Sequence, residues 1–457
     1  MQKLKFKSKK VNKIMKKPKI ITKLPGPKAK EILRRDNKYV SPSCTRPYPA
    51  VIQKGKGVWV TDVDGNVFLD FSAGIGVVTT GHCHPEIVDV IKKQSAELIH
   101  MSGTDFYYTY QAVVAEKLAE IVPGAKNKKV FFGNSGAEAV ECAMKLARYH
   151  KRRPRYIAFT GAFHGRTFGA LSLTGSKITQ RRYFAPLLPD VTHVPYAYCF
   201  RCPFHLEYPS CNLDCVRYIE ETIFKKIVPP DEVAAMFVEP IQGEGGYVVP
   251  PKKFIPALRD LCNRYDILLV DDEVQAGMGR TGRMFAIEHF NTNADIYCIA
   301  KGIASGLPLG VCVSRAGIMD WQPGAHASTF GGNPVACAAA VKTIELLERS
   351  LIENAAKLGK IAMARLSALE THYDFIGEIR GKGLMIGIEL VRDKLTKEPV
   401  RHKRDAVVYE AFKRGLLLLG AGESVIRLIP PLIITEKELQ VGLDILEDTL
   451  KKVFRVN

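Results

Sequence analysis

No run of about 18 uninterrupted apolar residues occurs in this 457-residue chain, which excludes an ordinary membrane-spanning helix. No internal repeat is evident either. Acid is missing altogether from Met1 to Lys30, where twelve lysines stand without one Asp or Glu. That stretch holds +12 of the formal charge of +19, and the remaining +7 is spread over an ordinary body. It has neither the apolar core of a secretory signal nor the Arg/Ser balance of a transit peptide, so a cytoplasmic location is the default expectation. Two readings of the tail stand: an arm for an anionic surface or nucleic acid, or a solvated extension with Met15 as an alternative start. The second is favoured, and neither a nucleic-acid nor a membrane partner is expected. What remains is ordinary for a soluble globular chain, at 46% hydrophobic and 25% charged, and long enough to bury a large core.

Strand-then-helix alternation dominates from Lys129 to Arg315, the pattern of an α/β fold with a mostly parallel sheet covered on both faces. The spacing predicts strands at Val130–Phe132, Tyr156–Phe159, Ala234–Val238, Ile267–Val270, Ile296–Ala300 and Gly310–Val313. Before them, Gly57 to Phe68 reads as a hairpin turning at Asp64-Gly65. After Pro334, a helical run from Val335 to Leu369 leads to a second α+β segment with a strand at Leu384–Leu390. The expected organisation is a basic tail over 1–30, an N-terminal part of a small domain over 31–80, a large domain over 81–334, and the rest of the small domain over 335–457.

Asp272 closes the apolar run Ile267–Val270, and Lys301 follows the run Ile296–Ala300. A buried carboxylate that keeps a pyridine nitrogen protonated, with a lysine that forms a Schiff base, is what pyridoxal 5'-phosphate requires of a protein. Alone the pair is weak, because Asp after a strand and a surface lysine are both common. Four further segments change the balance. Gly133-Asn134-Ser135-Gly136-Ala137 precedes the helical stretch Ala139–Tyr149, where N–H groups and a hydroxyl would hold a phosphate. Phe163-His164-Gly165-Arg166 offers an aromatic face and a guanidinium for a carboxylate. Glu239 to Gly246 carries Glu239 and Glu244 at a glycine-rich strand exit. Thr329-Phe330-Gly331-Gly332 places a hydroxyl before an alanine-rich helix, a second possible phosphate contact.

On these residues the chain resembles the class III (ω-aminotransferase) group of fold type I pyridoxal-phosphate enzymes, of the 4-aminobutyrate and ornithine aminotransferase kind. The resemblance runs from about Tyr48 to about Ile434 through seven blocks: GHCHP, NSGAEA, FHGRT, EPIQGEGG, DDEVQAGMGRTG, AKGIASGLPLG and STFGGNP. It implies a fold type I architecture, with a large α/β domain and a small α+β domain built from both chain ends. It also implies that Ser135, Gly136 and Ala137 contact the phosphate and that Phe163 and Val274 cover the two faces of the ring. Asp272 would pair with the pyridine nitrogen, Gln275 with the phenolic oxygen, and Lys301 would carry the cofactor. Thr329 would reach the phosphate of a neighbouring subunit, which makes a homodimer the smallest working unit.

For substrates, the same resemblance assigns Arg166 to the carboxylate distal to the reacting amine and has Glu244 mask Arg427 until a 2-oxo diacid arrives. Ile75 stands where ornithine-specific relatives carry a tyrosine, which leans towards 4-aminobutyrate-like or unselective use. The expected reaction moves the terminal amine of an ω-amino acid to 2-oxoglutarate. Racemisation or epimerisation is the alternative, with Glu244 as a second acid/base opposite Lys301, although epimerase-like relatives carry the shorter Asp there. A non-catalytic nucleic-acid module is the reading from another class, and Asp272, Lys301 and Arg166 argue against it.

Cys199, Cys202, Cys211 and Cys215 form a C-x2-C-x8-C-x3-C cluster in the stretch 195–218, an insertion outside the general pattern of the class. A structural zinc site, disulfides, and free thiols packed as small apolar groups all fit that spacing. The catalytic site itself is expected to hold no metal.

Overall fold

Asp64-Gly65 turns the chain where the sequence places it. In the computed structural model, which describes residues 17–456, β2 (Trp59–Asp62) and β3 (Val67–Asp70) pair antiparallel across this turn. Gly65 takes φ +91°, a backbone state that side chains with a Cβ rarely adopt. β1 (Ile52–Lys56) adds to β2, and β13 (Leu416–Leu417) runs parallel to β3 on the other side. Both chain ends therefore build one sheet of the small domain.

The central sheet has seven strands in the order β4 (Lys128–Gly133), β10 (Gly310–Arg315), β9 (Ile296–Ile299), β8 (Leu268–Asp272), β7 (Val233–Val238), β5 (Arg155–Phe159) and β6 (Val191–Val194). Only β10 runs against the others. All six residues of β7 are buried, as expected of a strand covered by helices on both faces. The helix Gly136–Lys151 supplies part of that cover through Val140, Met144 and Leu146. A third sheet joins β11 (Ile376–Lys382), β12 (Met385–Leu390), β15 (Val425–Leu428) and β14 (Leu419–Ala421).

The helical run after Pro334 is present as Pro334–Leu346 and Ile352–His372, joined through a wider turn at Leu347–Leu351. Asn333 starts it by accepting from the N–H groups of Val335 and Ala336 at 2.9 and 3.4 Å, with Pro334 in the first turn where no N–H is needed. Among the described residues, no helix is long and apolar enough to cross a membrane.

One difference from the sequence reading lies at the N-terminus. Residues 1–16 of the basic tail lie outside the described residues, but from Lys17 on the chain is packed rather than solvated. Lys19 pairs with Val67, Asn66 Oδ1 accepts from the N–H groups of Ile21 and Thr22, and Asp64 accepts from those of Lys28 and Ala29 at 2.9 Å each. Ile20 and Leu24 pack against a cluster of Val60, Phe68, Phe412 and Leu417. The lysines point away while the scattered apolar residues between them dock, which net charge cannot reveal.

Candidate active site

Strands β4, β5, β7, β8 and β9 share one direction, so their carboxyl ends open on one edge of the sheet, where ligands bind in such folds. Asp272 ends β8 and is 3% exposed. Its Oδ1 accepts from the N–H of Val274 at 3.0 Å, and its Oδ2 accepts from Nδ1–H of buried His164 at 2.7 Å. Burial opposes a charge on His164, but the hydrogen bond to Asp272 and its negative charge raise the imidazole's pKa above the usual value. Lys301, just past β9, is held at φ +39°, a strained setting of the kind stored at functional sites. Desolvation lowers its pKa, with Asp272, Glu239 and Glu244 pulling the other way and Arg427 adding to the fall. Among the described residues its amine has no hydrogen-bond partner.

Glu239 organises the floor of this edge. Its two oxygens accept from the N–H groups of Phe163 and Gly243, each at 2.9 Å, which ties the loop after β5 to the loop after β7. Burial pushes its pKa up to about 7 against the opposing charge of His164. Tyr247 O–H donates to Gln275 Oε1 at 3.0 Å, leaving the amide's N–H groups to face elsewhere. Ser135 caps the helix Gly136–Lys151, its hydroxyl accepting from the N–H of Glu138 at 3.2 Å. The N–H groups of Gly136 and Ala137 begin that helix without intrahelical partners, at its positive end. A Cβ on Gly136 would come within 2.7 Å of Val274 Cγ1, so this close approach requires glycine.

A phosphate-bearing pyridine aldehyde fits these donors. The free amine of Lys301, the buried carboxylate of Asp272, the outward amide of Gln275 and an open helix N-terminus are the complementary groups. Beside them lies a cluster of ion pairs. Arg427, on β15, donates from Nη1 to Glu244 Oε2 at 3.2 Å, and Lys177 donates to Glu244 Oε1. Burial alone would raise the pKa of Glu244, but Arg427 and Lys177 outweigh it and hold the carboxyl below its usual value. Arg166 is exposed, with its guanidinium 5.7 Å from the Phe163 ring centre.

The match of residues 40–450 to the class-III aminotransferase family model covers nearly all of this structure. The chain belongs to that family. It is therefore a pyridoxal-phosphate-dependent transaminase by family. It is 42% identical over 447 residues to an alanine/serine racemase of Pyrococcus horikoshii, covering 96% of this chain and 94% of that one. It is 43% identical to an acetylornithine aminotransferase of Methanopyrus kandleri, over 88% of this chain and 95% of the relative. A crystal structure of an amine transaminase from an uncultivated Pseudomonas species, in its PLP-bound form, superposes with TM-score 0.84 at 32% identity, covering 91% and 98% of the two chains.

In this transaminase Ile75 is 46% exposed on a turn, Ala73–Gly76, whose residues all take positive φ. Asp70 holds the turn's start by accepting from the N–H and hydroxyl of Ser72 and the N–H of Ala73, at 2.7, 2.6 and 3.1 Å. A β-branched residue at φ +68° is rare and strained. The segment continues against the lysine loop, where Thr79 Oγ1 donates to Gly302 O at 3.0 Å. Thr329 is exposed and makes no hydrogen bond among the described residues.

His164, Lys177 and Tyr247 were given no role from sequence, although His164 stands inside a recognised block. Its signal is that block; Lys177 and Tyr247 carry none. A further charged group reaches Gly246, two residues on from Glu244. Glu389, on β12, is gripped by Arg380 at 2.6 Å, Arg201 at 2.8 Å and the Tyr198 hydroxyl, while Arg380 also donates to Gly246 O at 2.6 Å. Arg201 lies between Cys199 and Cys202, so the cysteine insertion clamps this network. Its four cysteines are free thiols lining one cavity of about 20 Å³. Burial raises the Cys199 and Cys215 thiols, to about 11 and about 12, and keeps them protonated. Among the described residues no group of three or more Asp, Glu, His or Cys is placed to hold a metal ion. Of the three readings of the spacing, the structure has the free thiols.

Proposed function

We propose that this transaminase moves the terminal amino group of an ω-amino acid, of the 4-aminobutyrate, ornithine or lysine type, to 2-oxoglutarate. The observation that carries the reading is the Glu244–Arg427 pair, 3.2 Å apart at the mouth of the site. A closed pair presents a neutral surface to the uncharged part of an amine donor. An opened pair offers a guanidinium to a second carboxylate. Two unlike substrates can then use one pocket in turn.

Bound pyridoxal phosphate supplies the electron sink that stabilises negative charge on the amine-bearing carbon. Ser135, Gly136 and Ala137 hold its phosphate in this reading, Phe163 and Val274 enclose its ring, and Gln275 donates to its phenolic oxygen. Asp272, oriented by its hydrogen bond with His164, would hold a proton at the ring nitrogen. Lys301 carries the cofactor and moves a proton at the substrate's reacting carbon, a task suited to an amine whose pKa is lowered by desolvation. Arg166 takes the distal carboxylate of the donor. Thr329 completes the phosphate site of a second copy in a homodimer. Exposed Ile99, Phe106, Tyr107 and Phe330, beside an open groove of about 970 Å³, support such a partner.

The racemase reading is favoured by the P. horikoshii relative's name and by Glu244 lying close enough to Lys301 to influence its charge. One assay separates the two. The purified enzyme is given 2-oxoglutarate with ornithine, lysine, 4-aminobutyrate or neutral L-amino acids, followed by glutamate release and chiral analysis. Glutamate formed from an ω-amino donor supports transamination. L-to-D conversion without amino transfer overturns it.

A further inference from the structure

Glu244 is a single carboxylate shared between two cations. Lys177 takes Oε1 and Arg427 takes Oε2, and the three side chains are 32%, 8% and 18% exposed for Lys177, Arg427 and Glu244. Lys177 is fixed at the mouth by its backbone. It immediately precedes the short helix Ile178–Arg181, and the residues before it are tied to the loop after β5. Thr174 Oγ1 accepts from the N–H of His164 at 2.9 Å and donates to Gly165 O at 3.1 Å, while Gly175 N–H donates to Ala162 O at 2.8 Å. Lys177 therefore stands on the wall that carries Phe163 and Arg166, whereas Arg427 stands on the small-domain sheet. Glu244 bridges the two walls.

We propose that Lys177 is the resting partner of Glu244 in the open gate, and so a positioning residue that sets the enzyme's preference for dicarboxylate acceptors. This deepens the reading above and rests on it. With the gate closed, Glu244 is shared between Arg427 and Lys177, so Lys177 supplies only part of its neutralisation. When a substrate carboxylate takes Arg427, a part-buried Glu244 would be left as an unpaired charge, which is costly in a desolvated site. Lys177 then receives the whole carboxylate. It stabilises the open state more than the closed one, and only that difference shifts the equilibrium. The arrangement also fixes the direction of opening, from the small-domain wall towards the wall that bears Arg166.

The test uses holoenzyme and two unreactive acids, glutarate with two carboxylates and valerate with one, titrated by calorimetry. Lys177→Met is expected to weaken glutarate about tenfold more than valerate, the scale of a partly desolvated ion pair. Lys177→Arg is expected to restore the ratio to within about threefold of wild type. In a Glu244→Gln background the Lys177→Met effect on the ratio is expected to vanish, because the two residues act as one unit. A general loss of fold would weaken both acids alike and would not depend on Glu244. If wild type itself fails to prefer glutarate, the dicarboxylate reading of the site falls. If wild type prefers glutarate and Lys177→Met keeps that preference, the inference about Lys177 alone falls.

Discussion

Replacing Asp272 with Asn keeps the shape of the site and removes its charge. The side-chain oxygen can go on accepting from Val274 N–H, now made at 3.0 Å, while the new amide nitrogen faces His164 Nδ1 at 2.7 Å. The imidazole must then accept there, with its proton on Nε2, which is buried without a partner. Nε2 has no partner in the wild type either, so the stability lost is that of the charge on the Nδ1 hydrogen bond rather than of a new orphan, about 1 kcal/mol. The catalytic loss is larger. Opposite unit charges about 4 Å apart attract by about 4 kcal/mol at an effective dielectric of about 20. Asp272 is 3% exposed, so water screens it little. At 1.36 kcal/mol per decade this is about 10³ in rate. The assay is a stopped-flow half-reaction of the reconstituted variant with an amine donor, alongside cofactor absorbance after gel filtration. Retained cofactor with a rate down by about 10³ is expected, since the phosphate contacts are untouched. A rate within about tenfold of wild type at full cofactor content would refute the assignment of Asp272 to the ring nitrogen.

Borohydride should fix the cofactor permanently to Lys301, located by peptide mapping; label on another lysine would remove Lys301 from its role. In the apoenzyme, Lys301→Met should stabilise the fold near pH 7. The folded-state pKa of Lys301 is depressed below 10.5, so its penalty is complete at low pH and disappears as pH rises towards that unfolded value. Denaturant titrations at pH 7 and pH 9.5 should show the gap between variant and wild type narrowing, and a constant gap would contradict desolvation as the cause. Glu389→Gln should lower stability by about 1–3 kcal/mol, because it removes one of the two carboxylates on the buried guanidinium of Arg380 and leaves Glu378 at 2.6 Å. A shift in melting temperature no larger than that of a surface substitution would show that Glu378 alone satisfies Arg380.

The strands of the central sheet were legible because a strand covered on both faces must be apolar throughout, and Ala234–Val238 and Ile267–Val270 are runs of that kind. The Asp64-Gly65 hairpin was legible because the turn needs a residue free to take positive φ. Site residues at strand exits could be read as chemistry-bearing because carboxylates, lysine and glycines there have no packing purpose. The docking of Ile20 and Leu24 under a lysine-rich stretch was not legible, since charge dominates composition while two apolar side chains decide the packing.

The sequence by itself determined the mostly parallel sheet and which chemistry-bearing residues stand at its strand exits. It did so because periodicity and glycine placement are local constraints on each strand and turn. Only the tertiary structure decided which of those residues share charge. His164 meets Asp272 across a sequence separation of 108, and Lys177 and Arg427 reach Glu244 across 67 and 183. Electrostatic coupling depends on distance and burial in space, and neither is written in the order of residues along the chain.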